Sequence, residues 1–200
     1  MPTPPTARMF VALVPPEDVT AYLADRVAAV DGEIEGLRWT ARRNWHVTLA
    51  FLAAVPSGRV EGAIAELSDA VLVVEPFILR LAGAGAFPRP ARAGVVWAGV
   101  EGASADDARA LTRLAKHVRI GLRRARLRPE RTPFRPHVTL ARVRPAADVT
   151  EIVQHLATKT EVDQGPLWPV RELLLMESRL GAMPDGSAAH APMATLTLGR

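Results

Sequence analysis

The sequence contains no cysteine. Disulfides, thiolate nucleophiles and zinc–cysteine centres are therefore excluded, and any chemistry has to come from other side chains. Lysine is nearly absent as well, with Lys116 and Lys159 the only two, so arginine carries the positive charge. No apolar run approaches the roughly 20 residues that a helix needs to cross a bilayer. The opening MPTPPTARMFVALVPP lacks a signal-peptide layout, because its apolar run from Met9 to Val14 is short and leads into prolines. A cytoplasmic protein without membrane attachment is the expectation. Two hundred residues with 48% hydrophobic content suit one domain spanning 1–200, or two small lobes sharing a core.

The formal charge of +4 is unevenly spread. Between Arg113 and Arg144 stand eleven Lys or Arg against one acid, Glu130, so this segment carries +10 and the rest of the chain −6. The segment contains apolar periodicity and is therefore a folded part of the protein. Two readings stand for it: a solvated helix face, or a surface that attracts phosphates.

Periodicity orders the elements. Arg8–Val14 reads as a buried strand, and Pro15-Pro16-Glu17-Asp18 opens a helix bearing Val19, Tyr22, Leu23, Val27 and Val30, closed by Gly32. Strands follow at Leu37–Thr40 and Trp45–Leu52, a helix at Val60, Ile64, Leu67 and Val71, and a strand at Phe77–Leu81. The Gly/Pro stretch Gly83–Arg92 reads as a loop between halves. The order then repeats. Val95–Val100 is a strand, Leu111 to Leu122 a helix, and His137–Val143 a strand. Val149 to Leu156 form a helix, Glu172–Leu180 a strand, and Met193–Leu198 an edge strand.

The pentapeptide HVTLA occurs in both halves, at His46–Ala50 and His137–Ala141. Strand alternation puts Val47, Leu49, Val138 and Leu140 in the core, and His, Thr and Ala on the opposite face. Equivalent strands of a duplicated fold would lie side by side, so that His46 and His137 face each other across one cleft. Imidazole titrates near neutrality, so one of the pair can serve as base and the other as acid in a single step. On a phosphodiester, the base takes a proton from water and the acid protonates the leaving alkoxide. Thr48 and Thr139 can hold the non-bridging oxygens. No cofactor and no metal are expected, since neither histidine has a second His or a carboxylate at ligand spacing. No nucleophile elbow, P-loop or dinucleotide fingerprint is present.

These motifs, with RMFVALVPPED, LRWTARRNWHVTLAFL, GAFPRPARAGVVWAGV, RPERTPFRPHVTLARVR and ELLLMESRL, resemble the two-histidine (2H) phosphoesterase superfamily. They look most like its bacterial and archaeal RNA 2′,3′-cyclic phosphodiesterases, also called 2′-5′ RNA ligases. The resemblance implies an α+β, bilobal duplicated fold, with two antiparallel sheets flanked by helices around a central cleft. It implies hydrolysis of RNA 2′,3′-cyclic phosphate ends to 2′-phosphomonoesters, with reversible 2′-5′ ligation as an associated activity. His46 is then the proton donor, His137 the proton acceptor, and Thr48 and Thr139 the phosphate ligands. One departure is visible: relatives often carry a tyrosine after a glycine near the last strand, where this chain has Gly186-Ser187-Ala188-Ala189-His190.

Around the motifs, Arg135 and Arg142 are candidates for phosphate contact, because guanidinium matches phosphate geometry. Phe51 and Phe134 are candidates for base stacking, with core packing as the competing role for Phe51. Trp39 and Trp45 read as packing residues, and His117, His155 and His190 as surface histidines. The partners expected are RNA ends or nucleotide cyclic phosphates, and a monomer without obligate protein partner. Two alternatives keep part of this reading. The same chemistry could act on a small cyclic nucleotide, a 2′-5′ oligoadenylate or an ADP-ribose cyclic phosphate. A non-catalytic RNA-binding module would use the cleft without turnover.

Overall fold

The computed structural model describes residues 5–30, 34–157, 165–184 and 186–199. Gly32 lies outside them. The elements run β1 (Thr6–Leu13), α1 (Glu17–Ala28), β2 (Leu37–Trp39), β3 (Val47–Pro56), α2 (Val60–Val71), β4 (Phe77–Arg89) and β5 (Arg92–Gly102). They continue with α3 (Ala105–Arg124), β6 (His137–Ala147), α4 (Thr150–Leu156), β7 (Trp168–Val170), β8 (Glu172–Arg179) and β9 (Ala189–Thr197). The short β7 carries no alternation long enough to be read from sequence, and β9 starts four residues earlier than its apolar pattern.

The strands pair antiparallel in the order β7-β4-β5-β6-β3-β1-β8-β9, with β2 on β6. The two expected sheets thus meet edge to edge. Their only joint among the described residues is the bridge Val47–Val138, which links the two HVTLA strands. Each half of the chain gives its closing strand away. β4, from the first half, pairs with β5, while β8, from the second, pairs with β1.

Helices α2 and α3 pack on each other, and α3 also covers β3, β4 and β5. Its N-terminus is well capped. Ser104 Oγ accepts from the Asp107 N–H, and Asp107 accepts from Ser104 Oγ and from the Ile78 N–H, which ties the helix start to β4. Leu111, Leu114, Ala115, Val118 and Leu122 form the buried stripe that their spacing predicts. Val47, Leu49, Val138 and Leu140 are at most 1% exposed, so the motif's branched residues do build the core.

The Gly83–Arg92 stretch is not a loop: it is the end of β4 and the hairpin turn into β5. Glycine serves packing here. Gly83 adopts φ +63° where the β4–β5 register slips between Leu81 and Ala84, a bulge that an L-residue would strain. At Gly85 a Cβ would sit 2.3 Å from the Trp97 ring, so only glycine lets that indole lie flat on the neighbouring strand. Among the described residues, no helix is long and apolar enough to cross a membrane.

Candidate active site

Strict alternation fails inside both HVTLA strands, and at the same place. On β3, Val11 pairs with Ala50 but Ala12 with Thr48, so Leu49 is an extra residue. On β6, Val96 pairs with Ala141 but Trp97 with Thr139, so Leu140 is extra. A bulge of this kind bends the strand and turns its faces over. Leu49 and Ala50 are therefore both buried, as are Leu140 and Ala141. The alanines do not share the His/Thr face, contrary to the alternation rule. Beyond the bulge the open face resumes one residue late, and Phe51 and Arg142 join Thr48 and Thr139 on it.

The two histidines are held alike. His46 Nδ1 lies 2.7 Å from the carbonyl of Asn44, and His137 Nδ1 lies 2.6 Å from the carbonyl of Arg135. A carbonyl only accepts, so each Nδ1–H donates, and each Nε2 is left to act as base or, when protonated, as acid. Asn44 belongs to a 3₁₀ turn, Arg42–Asn44, that Arg42 clamps to α1 through Thr20 Oγ1 (2.8 Å) and Glu17 Oε1 (2.6 Å). Before the second motif, Arg119 donates to the carbonyls of Glu130 (2.7 Å) and Thr132 (3.1 Å). The Glu130 N–H donates in turn to the Phe51 carbonyl on β3, lashing that approach to the first motif's strand.

Aromatic rings wall both imidazoles. Phe10 stacks on His46 at 4.5 Å, and Phe87 meets His137 edge-on at 5.1 Å, with Trp97 at 6.1 Å. This desolvation governs the electrostatics. Burial pushes His46 down to about 4, opposed by the Asn44 carbonyl and reinforced by the charges of His190, His137 and Arg142. His137 is also lowered by burial, with the Arg135 carbonyl opposing. That His137 and Arg142 act on His46 reflects how β3 and β6 bring both motifs to one site. Thr48 and Thr139 are part-exposed, and neither hydroxyl has a hydrogen-bond partner among the described residues.

The remaining candidates divide. Arg142 and Arg135 are both exposed; the charge of Arg142 acts on His46, while Arg135 contributes its carbonyl to His137. Phe51 is part-exposed beneath the Arg8 guanidinium, 4.8 Å from the ring centre. Phe134 packs against the core. Trp45 is buried, as expected of a packing residue, but Trp39 is 38% exposed because β2 lies off the main path of the sheet. His155 is exposed and His117 part-exposed. His190, expected at the surface, is part-exposed, and its ring meets those of His46 and Phe10. Sequence reasoning also missed Asn44, Phe10, Phe87 and Trp97. Asn44 holds His46 through its backbone carbonyl, which no residue pattern reports, and the three aromatics look like ordinary strand residues. Among the described residues, no group of three or more His, Cys, Asp or Glu is placed to hold a metal ion.

The fold matches the solved structure of TT0787 from Thermus thermophilus, with TM-score 0.75 and 28% identity over 96% of this chain and 99% of that one. The family model described as the 2′-5′ RNA ligase superfamily matches residues 15–182. The chain belongs to that superfamily. Among relatives, an RNA 2′,3′-cyclic phosphodiesterase of Archaeoglobus fulgidus is 31% identical over 76% of this chain and 82% of its own length. Another of that name, from Aeropyrum pernix, is 36% identical over 61% of this chain and 66% of its own. The superfamily match contains both HVTLA motifs and stops before β9, so His190 lies beyond it.

Proposed function

We propose that this protein hydrolyses RNA 2′,3′-cyclic phosphate ends to 2′-phosphomonoesters, by two-histidine acid–base catalysis without a metal. The observation that carries the proposal is the matched tethering of His46 and His137. Each is fixed through Nδ1 to the carbonyl two residues before it, with a threonine two residues after it whose hydroxyl has no partner among the described residues. His137 removes a proton from water, whose oxygen bonds to phosphorus as the P–O3′ bond breaks. His46 delivers a proton to that departing O3′, leaving a free 3′-hydroxyl and a 2′-phosphate. Thr48 and Thr139 donate to the non-bridging oxygens, where charge accumulates. Arg142 adds a fixed positive charge beside His46.

His46 must be protonated to act as donor, and in the ligand-free site burial keeps it neutral at pH 7. The bound phosphodiester anion supplies the opposite charge that reverses this, so substrate binding and proton uptake by His46 are one event. The names of the relatives support an RNA substrate. So do the exposed Arg131, Arg135, Arg142 and Arg144 around the second motif, which suit a polyanion better than a mononucleotide. Residues 1–200 then act as one unit of two interlocked lobes, in the cytoplasm.

The test is an RNA oligonucleotide ending in a 2′,3′-cyclic phosphate, incubated with and without EDTA, with the phosphate position of the product determined. A 2′-phosphate formed equally in both is the expected result. Loss of turnover in EDTA, restored by a divalent ion, would overturn the mechanism.

A further inference from the structure

Next to the two motif histidines stands a third imidazole that neither motif contains. His190 opens β9, where it pairs with buried Ser178 of β8. Its ring lies 5.5 Å from that of His46 at 90°, and 4.9 Å from Phe10 at 77°. Phe10 in turn stacks on His46 at 4.5 Å, so the three rings close on one another. The approach to β9 is latched to the first motif, because Asn44 Nδ2 donates to the Ala188 carbonyl at 2.9 Å. One residue therefore holds both histidines: Asn44 fixes His46 by its carbonyl and the strand of His190 by its side chain.

We propose that His190 is a positioning residue for His46, closing a three-ring box that holds the imidazole in its working orientation, and that this pair carries no more than one proton at a time. The inference rests on the acid role given to His46 above. The geometry supports both parts. A ring edge against His46 blocks the rotation that would break its bond to Asn44. The two imidazole rings stand 5.5 Å apart, so a second proton on the pair would meet the charge of the first at close range. Burial lowers the affinity of His190 for a proton, with the Ala189 backbone opposing, as burial does for His46 with the Asn44 carbonyl opposing. The groups whose charge acts on His46 are His190 from β9 and His137 and Arg142 from β6. All are cationic when charged, while β1 presents the apolar Phe10. A proton on His190 therefore opposes the one that His46 needs.

Two variants and two readouts test this. His190→Ala empties the box, and His190→Phe refills it without a titratable group. Turnover of a 2′,3′-cyclic phosphate is expected to fall about tenfold in His190→Ala, with KM changing much less, and His190→Phe should recover most of the loss. In the free protein, histidine ring NMR should show His46 taking up its proton at higher pH in His190→Phe than in wild type. Equal turnover of His190→Ala and wild type overturns the positioning role. A His190→Phe variant as slow as His190→Ala overturns it also, since the imidazole itself would then be required. An unmoved His46 titration refutes the shared proton. Absence of turnover in wild type would defeat the reaction proposed above, while the titration would still decide the coupling of His46 and His190.

Discussion

At the scale of the residue, the proposed division of labour between His46 and His137 fixes what each substitution should cost. Replacing either by alanine should lower kcat by about 10²–10⁴-fold, with KM moving far less. The double variant should be little worse than either single one, because both groups act in one step. A substrate with a better 3′ leaving group should partly rescue His46→Ala and not His137→Ala. Rescue confined to His137→Ala would exchange the two roles.

The lowered proton affinity of His46 has a second consequence, in stability. The unfolded chain binds this proton near 6.5, and the folded protein only at about 4. As pH falls below 6.5 the unfolded state gains a proton that the folded state refuses. Stability is therefore complete above 6.5 and lost between there and about 4, by about 3 kcal/mol. Urea unfolding of wild type and His46→Phe from pH 7 to pH 4 should show the steeper fall in wild type. Parallel curves would mean that His46 titrates normally. In kinetics, kcat/KM reports the free protein and should already decline on its alkaline side below 6.5, because His137 is lowered too. The optimum of kcat should lie at higher pH, since bound phosphate holds the proton on His46.

Strands and their irregularities make up the next scale. The repeated leucine of HVTLA is a bulge in both halves, and it determines which side chains accompany each histidine. Position 51 and position 142 are equivalent in the two motifs, yet one is Phe and the other Arg. The duplicated frame thus carries an aromatic ring in the first motif and a fixed charge in the second, and that charge acts on His46 across the joint between the strands. On the second side, Trp97 against His137 depends on Gly85. Gly85→Ala places a methyl group inside the indole ring and should destabilise the fold by about 1–3 kcal/mol. It should also lower kcat more than an equally destabilising change far from the site. A variant that loses stability but keeps kcat would show that Trp97 does not support His137.

Across the whole molecule, the exchange of closing strands makes the halves interdependent. Without β8, the β1–β3 pair would lose its neighbour, and without β4 so would β5–β6. Chains cut in the turn between Arg89 and Arg92 should each fail to fold alone and should regain the fold and the turnover when mixed. A half that shows cooperative unfolding by itself would refute this. The basic segment also makes sense only at this scale. Arg119 is spent on the carbonyls of the loop before His137, whereas Arg131, Arg135, Arg142 and Arg144 stay exposed, so part of the +10 is internal scaffolding.

How much of this was legible in the chain depends on the range of the interactions. The helix of Leu111 to Leu122, the buried Val and Leu of HVTLA, and the pairing of two equivalent strands all follow from local period and from repetition. Both histidines and both threonines could be selected from residue types alone, because a duplicated His-x-Thr is a chemical pattern as well as a structural one. The Gly83–Arg92 strand was hidden because glycine there answers to an indole on another strand. The bulges were hidden because register belongs to a pair of strands and not to one. His190 was hidden because it stands 144 residues from His46 in the chain, in no repeat, and becomes its neighbour only when β8 carries β9 to that end of the sheet. Composition and period set most of the elements and the candidate reacting groups; the antiparallel register and the strand exchange decided which groups meet, since contacts between distant segments leave no local trace.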